Sequence, residues 1–138
     1  MEIKNKLKEF DLDVDNCVVI GSGILNVLGI RESMDIDVVI TEEKYKELKN
    51  TGHFQQKESH GREVLVDDLL EVMTHWDVLG KVWYFNDILE CTVIIDEVRY
   101  NTIEFLLGVK KQWIGEGEAR QKDIDDIKLM EDYLQSIK

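Results

Sequence analysis

Cys17-Val18-Val19-Ile20 is a short, wholly apolar run that stops at Gly21-Ser22-Gly23. A second run, Ile36 to Ile40, begins about a dozen residues later, and Asp35 and Asp37 sit at its start. Short runs that are apolar at almost every position suit strands of a sheet covered on both faces. Side chains alternate along a strand, so Asp35 and Asp37 point to the same side. Neighbouring carboxylates repel, and at the mouth of a buried strand they need a partner. A hard cation with oxygen ligands, such as Mg²⁺, is one.

Helical and strand signals alternate along the rest of the chain. Ile3, Leu7 and Phe10 are spaced for a helix over residues 3–12. Residues 24–29 read as a short helix ended by Gly29, and Thr41 caps a helix through about Asn50. Phe54–Glu58 reads as a strand. Two further strands, Glu63–Val66 and Leu69–Met73, are joined by Asp67-Asp68. The aromatic-rich stretch Trp76–Leu89 is expected to be a partly helical cover. Cys91–Ile95 and Val98–Tyr100 read as strands around an Asp96-Glu97 turn, and Thr102 caps a helix to about Trp113. A closing helix over 118–137 puts Ile124, Ile127, Met130, Leu134 and Ile137 on one face, with Asp123, Asp125, Asp126, Glu131 and Asp132 on the solvated side. Intermixed helices and strands predict an α/β (or α+β) fold with a mixed sheet and flanking helices. With 138 residues and no linker or repeat, one domain spanning 1–138 is expected.

A net charge of −12 repels nucleic-acid phosphates, which argues against bulk duplex DNA or RNA as a partner, leaves a small substrate, a protein or a nucleic-acid end reached through a local basic pocket, and tilts towards a small, cationic acceptor. No apolar run is long enough to span a membrane, and MEIKNKLKEF reads as an amphipathic start rather than a signal peptide. Cys17 and Cys91 lie in apolar runs and read as buried small hydrophobes, so the expected location is the cytoplasm.

Gly21 and Gly23 let the backbone come close to a ligand, and Ser22 adds a hydroxyl, so the turn can hold a phosphate. Asn26 occupies the position where a dinucleotide-binding fingerprint needs glycine, which disfavours a nicotinamide oxidoreductase, and no Gly-Lys-Ser/Thr follows to make a P-loop. His53, His60 and His75 have no zinc-site spacing, and Ser22 lacks the frame of a nucleophile elbow. Glu71 stands as a lone charge within Leu-Leu-Glu-Val-Met, and beside Asp35 and Asp37 it would complete a set of three carboxylates able to hold one or two Mg²⁺ ions. Asp67 and Asp68 are alternatives for the third place.

The Gly-Ser turn, Arg31 and Ser33 ahead of Asp35-Ile36-Asp37, the later Glu71, and Lys110-Lys111 followed by the Lys-Asp-x-x-Asp-like segment Arg120-Gln121-Lys122-Asp123-Ile124-Asp125-Asp126-Ile127 resemble the minimal nucleotidyltransferases of the DNA polymerase beta superfamily. Within it the likeness is to small bacterial and archaeal proteins related to antibiotic and toxin-type nucleotidyltransferases, over roughly residues 16–134. Many relatives carry Gly-Gly and then a varied residue at the turn, where this chain has Ser22 and Gly23. The resemblance implies a nucleotidyltransferase-like fold and transfer of a nucleoside monophosphate from ATP or another NTP to an acceptor, with release of pyrophosphate. It implies that Gly21, Ser22 and Gly23, with Arg31 and Ser33, hold the nucleotide and that Lys110, Lys111, Arg120 and Lys122 offset phosphate charge. Asp35, Asp37 and Glu71 would be catalytic and bind Mg²⁺, with Mn²⁺ as an alternative, Glu71 also helping to activate the acceptor hydroxyl. The acceptor would be a small molecule or a protein, with a homodimer one way to complete its pocket. The alternative is a non-catalytic nucleotide-binding or protein-interaction module of the same fold.

Overall fold

Local chemistry marks where the helices begin. The Thr41 hydroxyl accepts from the Lys44 amide at 3.3 Å and opens α3 (Glu42–Asn50), and Thr102 accepts from Phe105 at 3.1 Å and opens α5 (Ile103–Gly115). The remaining helices are α1 (Ile3–Lys8), α2 (Gly23–Val27), α4 (Phe85–Ile88) and α6 (Gln121–Ser136). A computed structural model describes residues 2–138.

Seven strands form one mixed sheet: β1 (Cys17–Ile20), β2 (Ile36–Ile40), β3 (Gln55–Ser59), β4 (Arg62–Asp67), β5 (Leu70–Met73), β8 (Thr92–Ile95) and β9 (Val98–Asn101). Their order is β3-β4-β5-β2-β1-β9-β8. The pairs β2–β5 and β1–β9 are parallel and the other neighbours antiparallel. This is the mixed sheet with flanking helices expected from the sequence. All four residues of β1 are buried, as are Ile36, Val38, Val39 and Ile40 of β2, so the sheet centre is covered on both faces. Each such aliphatic side chain contributes roughly 1.5–3 kcal/mol by leaving water. Among the described residues no helix is long and apolar enough to cross a membrane.

The stretch Trp76–Leu89 is not the cover expected. His75–Val78 (β6) and Lys81–Tyr84 (β7) form a separate hairpin, and only Phe85–Ile88 is α-helical. Leu79 (φ 56°) and Gly80 (φ 69°) take left-handed conformations, the geometry whose twist suits a two-residue hairpin. The hairpin is fixed by tertiary contacts. Trp83 donates its indole N–H to the Val78 carbonyl at 2.9 Å, and Trp76 and Trp83 pack on Phe105 of α5 with ring centres 5.9 and 5.1 Å apart. Cys91 falls in a 3₁₀ turn (Leu89–Cys91) rather than in a strand, and both cysteines are free thiols.

The last helix is also phased differently from its apolar spacing. Its buried residues are Asp123, Asp126, Ile127 and Met130, while Ile124 is 46% exposed and Ile137 62%. The two aspartates expected in solvent are therefore inside.

Candidate active site

Asp37 lies opposite Ile20 on β1 and opposite Glu71 on β5. Residues facing each other across a pair of strands share a face, so the Asp37 and Glu71 carboxylates are neighbours on one side of the sheet. Asp35 is exposed just before β2 and has the same parity. Burial pushes the Asp37 carboxyl up to about 6; Glu71 and then Asp35 add to the rise, and Arg62 and Lys122 oppose it. Oxygen donors carrying uncompensated negative charge fit Mg²⁺ in kind. Yet among the described residues no group of three or more His, Cys, Asp or Glu side chains is gathered tightly enough to hold a metal ion.

The two other acidic candidates stand apart. Asp67 pairs with Leu70, on the face opposite to Glu71. It is held by the Lys6 ammonium at 2.7 Å and the His53 ring at 3.1 Å, and the Lys6 hydrogen bond keeps its carboxyl below the usual range despite some burial. Asp68 takes the left-handed position of the turn (φ 52°) and is exposed.

β1 runs out beside Asp37 into the Gly-Ser-Gly turn, and its two glycines differ. Gly21 has φ +72° and nothing within 4 Å of where a Cβ would stand. A Cβ on Gly23 would run into Val19 Cγ1, so the packing of α2 on β1 calls for glycine here. Ser22 makes no capping bond with its side chain; its hydroxyl accepts from Arg31 Nη2 at 2.9 Å. Ser33 is buried, donates its hydroxyl to the Asp35 carbonyl at 2.9 Å, and its amide donates to Asn26 Oδ1 at 3.2 Å. It thereby fixes the loop that delivers Asp35.

Arg31 in turn grips α6. Its Nε and Nη2 make a fork on the Asp126 carboxylate at 2.6 and 2.7 Å. Lys110 on α5 meets Asp123 at 2.6 Å and Asp126 at 3.1 Å. Lys110, Asp123 and Asp126 are 3%, 1% and 1% exposed. Burial raises both aspartates, but hydrogen bonds from Lys110 to Asp123, and from Arg31 and Lys110 to Asp126, outweigh it and hold both carboxyls below their ordinary range. The Asp126 hydrogen bond likewise raises the Arg31 pKa against the effect of burial.

The structure thus sets Glu71 beside Asp37 on one face of the sheet, with Asp35 exposed just before β2 and Gly21, Ser22 and Arg31 beyond the end of β1. Lys110 is enclosed by two aspartates rather than open to a phosphate. Lys111 pairs with Glu131 on the surface at 3.3 Å. Arg120 is exposed and lies 3.5 Å from Asp123, and exposed Lys122 acts on Asp37 through space. Sequence reasoning missed Arg62, and it put Asp123 and Asp126, the two aspartates of the Lys-Asp-x-x-Asp segment, on the solvated side of their helix. The signal for the aspartates was present: positions 123, 126, 127 and 130 follow the i, i+3, i+4, i+7 spacing of a single helix face.

No family model and no curated protein matches the chain. Among solved structures, it is similar to the solution structure of the antibiotic-resistance factor ANT(2'')-Ia, at 18% identity, with a TM-score of 0.61, over 96% of this chain and 80% of that one. It is also similar to the crystal structure of ANT(2'')-Ia in complex with adenylyl-2''-tobramycin, at 18% identity, with a TM-score of 0.59, over 96% of this chain and 86% of that one. At this identity the likeness shows a shared fold.

Proposed function

We propose that the chain is a Mg²⁺-dependent nucleotidyltransferase that moves AMP from ATP to a small-molecule hydroxyl and releases pyrophosphate. The observation that carries this reading is the in-register pairing of Asp37 with Glu71 on adjacent parallel strands, at the end where β1 turns through Gly21-Ser22. The solved complex of the similar fold with adenylyl-2''-tobramycin supports an adenylyl group and a small acceptor.

Asp35, Asp37 and Glu71 are the residues that would hold the metal. Bound Mg²⁺ supplies positive charge against the triphosphate and the charge that develops during transfer. Gly21 leaves room for a phosphate to approach the backbone, and Ser22 and Arg31 present a hydroxyl and a fixed guanidinium beside it. Glu71 takes the proton of the acceptor hydroxyl. The acceptor oxygen then bonds to the α-phosphorus, the bond from that phosphorus to the β-bridging oxygen breaks, and pyrophosphate leaves with the electron pair. The chain's contribution is positioning and charge neutralisation rather than a covalent intermediate.

A second reading, a non-catalytic nucleotide-binding or interaction module, is favoured by the absence, among the described residues, of carboxylates gathered tightly enough for a metal. Titration calorimetry with a non-hydrolysable ATP analogue, with and without Mg²⁺, separates the two when paired with pyrophosphate release across an acceptor panel. The transferase reading expects Mg²⁺-dependent binding that is lost in the Asp35→Asn/Asp37→Asn double variant, and turnover with at least one acceptor. Binding without turnover would favour the module, and failure of all NTPs to bind would refute the transferase.

A further inference from the structure

Arg62, on β4, has a side chain only 11% exposed. A guanidinium carries five N–H donors. Here Nη2 reaches the Met73 sulfur, a weak acceptor, at 3.2 Å. Nη1 stands 3.8 Å from Asp77, beyond hydrogen-bond reach, and Asp77 is about half exposed. Nε is buried with no partner. A charged donor set left this incomplete inside a protein is costly unless something else satisfies it.

The register shows where this group stands. β4 runs antiparallel to β5 with Val66 opposite Glu71. Arg62 lies four residues before Val66, so it shares the face of Glu71 and Asp37. Its charge reaches Asp37 and opposes the rise of that carboxyl. Sheet order puts β4 on one flank of the carboxylates and β1, with the Gly21-Ser22 turn, on the other. Arg62 also borders an open depression at the β3–β4 hairpin. Lys57 lies opposite Val64, which puts a second cation on the Arg62 face.

We propose that Arg62, assisted by Lys57, is the acceptor subsite, and that the acceptor carries a carboxylate or phosphate group besides the hydroxyl that receives the nucleotide. The inference rests on the transferase reading above. It assigns the nucleotide to the flank of Gly21 and Ser22 and the acceptor to the flank of Arg62, with the three carboxylates between them. An oxyanion satisfies the open fork of donors with charge-assisted bonds. A polycationic acceptor would meet like charge there, so this subsite selects against it.

The test uses the full chain with ¹⁵N-labelled arginine and follows the Arg62 Nε–H by NMR, with Mg²⁺ and a non-hydrolysable ATP analogue present. Glycerol 3-phosphate and glycerate are titrated separately, with glycerol as the neutral control. The expected result is a saturable shift with at least one anion and none with glycerol; the stronger of the two identifies phosphate or carboxylate as the preferred group. Arg62→Gln should weaken that anion about tenfold or more, the equivalent of ~1.4 kcal/mol, while ATP-analogue affinity is unchanged. Arg62→Lys, which keeps the charge and guards against a folding defect, should retain part of the binding. No anion shift while the ATP analogue binds would overturn the acceptor subsite and leave the transferase intact. An Arg62 shift caused by the ATP analogue itself, with weaker nucleotide binding in Arg62→Gln, would overturn it in favour of a nucleotide contact. Anion binding with no NTP binding would refute the transferase and the acceptor role with it.

Discussion

Replacing Asp37 with Asn should stabilise the metal-free protein at pH 8, although the residue lies at the centre of the candidate site. The folded-state carboxyl has its pKa raised from 3.8 to about 6 by burial, then by Glu71 and Asp35. At about 1.4 kcal/mol per pH unit, keeping Asp37 ionised in the fold costs about 3 kcal/mol. The amide of Asn stays partly buried and recovers only part of this, so a net gain of about 2 kcal/mol is expected. The sign follows from proton binding. Between about pH 4 and 6 the folded chain holds the proton more tightly than the unfolded chain, so wild-type stability falls as pH rises through that window and levels off above it. The variant lacks this dependence, so the two proteins should draw together near pH 4 and differ most above pH 7. Urea unfolding in EDTA at a series of pH values measures the gap directly. Melting temperature should follow by roughly 3 °C per kcal/mol for a chain of this size. Adding Mg²⁺ should narrow the gap by stabilising only the wild type. A gap that is the same at every pH, or a variant less stable than wild type at pH 8, would refute the electrostatic reasoning.

Asp126→Ala should cost about 3–5 kcal/mol in urea unfolding, because it leaves the buried Lys110 with only Asp123 and removes the partner of the Arg31 fork. Asp125→Ala, one residue away on the exposed side of the same helix, should change stability by less than about 0.5 kcal/mol; equal losses would refute the buried network. Gly23→Ala should destabilise by about 1–3 kcal/mol through its clash with Val19. An unchanged unfolding midpoint would show that α2 is not packed on β1 as described.

Much of the layout was written locally. β1, β2 and the Thr41- and Thr102-capped helices lie where apolar runs and cap residues placed them, because these signals are contained within a few neighbouring residues. The shared side of Asp35 and Asp37 also follows from strand parity alone. What parity and period cannot supply is the identity of the surface that a given face meets. Trp76 and Trp83 read as a cover, and only Phe105, more than twenty residues further on, makes them the inner face of a hairpin. Asp123 and Asp126 carry charges that belong in water unless a buried Lys110 and an Arg31 from distant segments come to meet them. Glu71 becomes the neighbour of Asp37, and Asp67 does not, because a parallel pairing fixes the register between strands far apart in the chain. Within β1, β2, α3 and α5, local pattern alone set which residues share a face. Which faces meet, and which face of α6 lies inward, came from long-range pairing and from whether each buried charge finds its counter-charge.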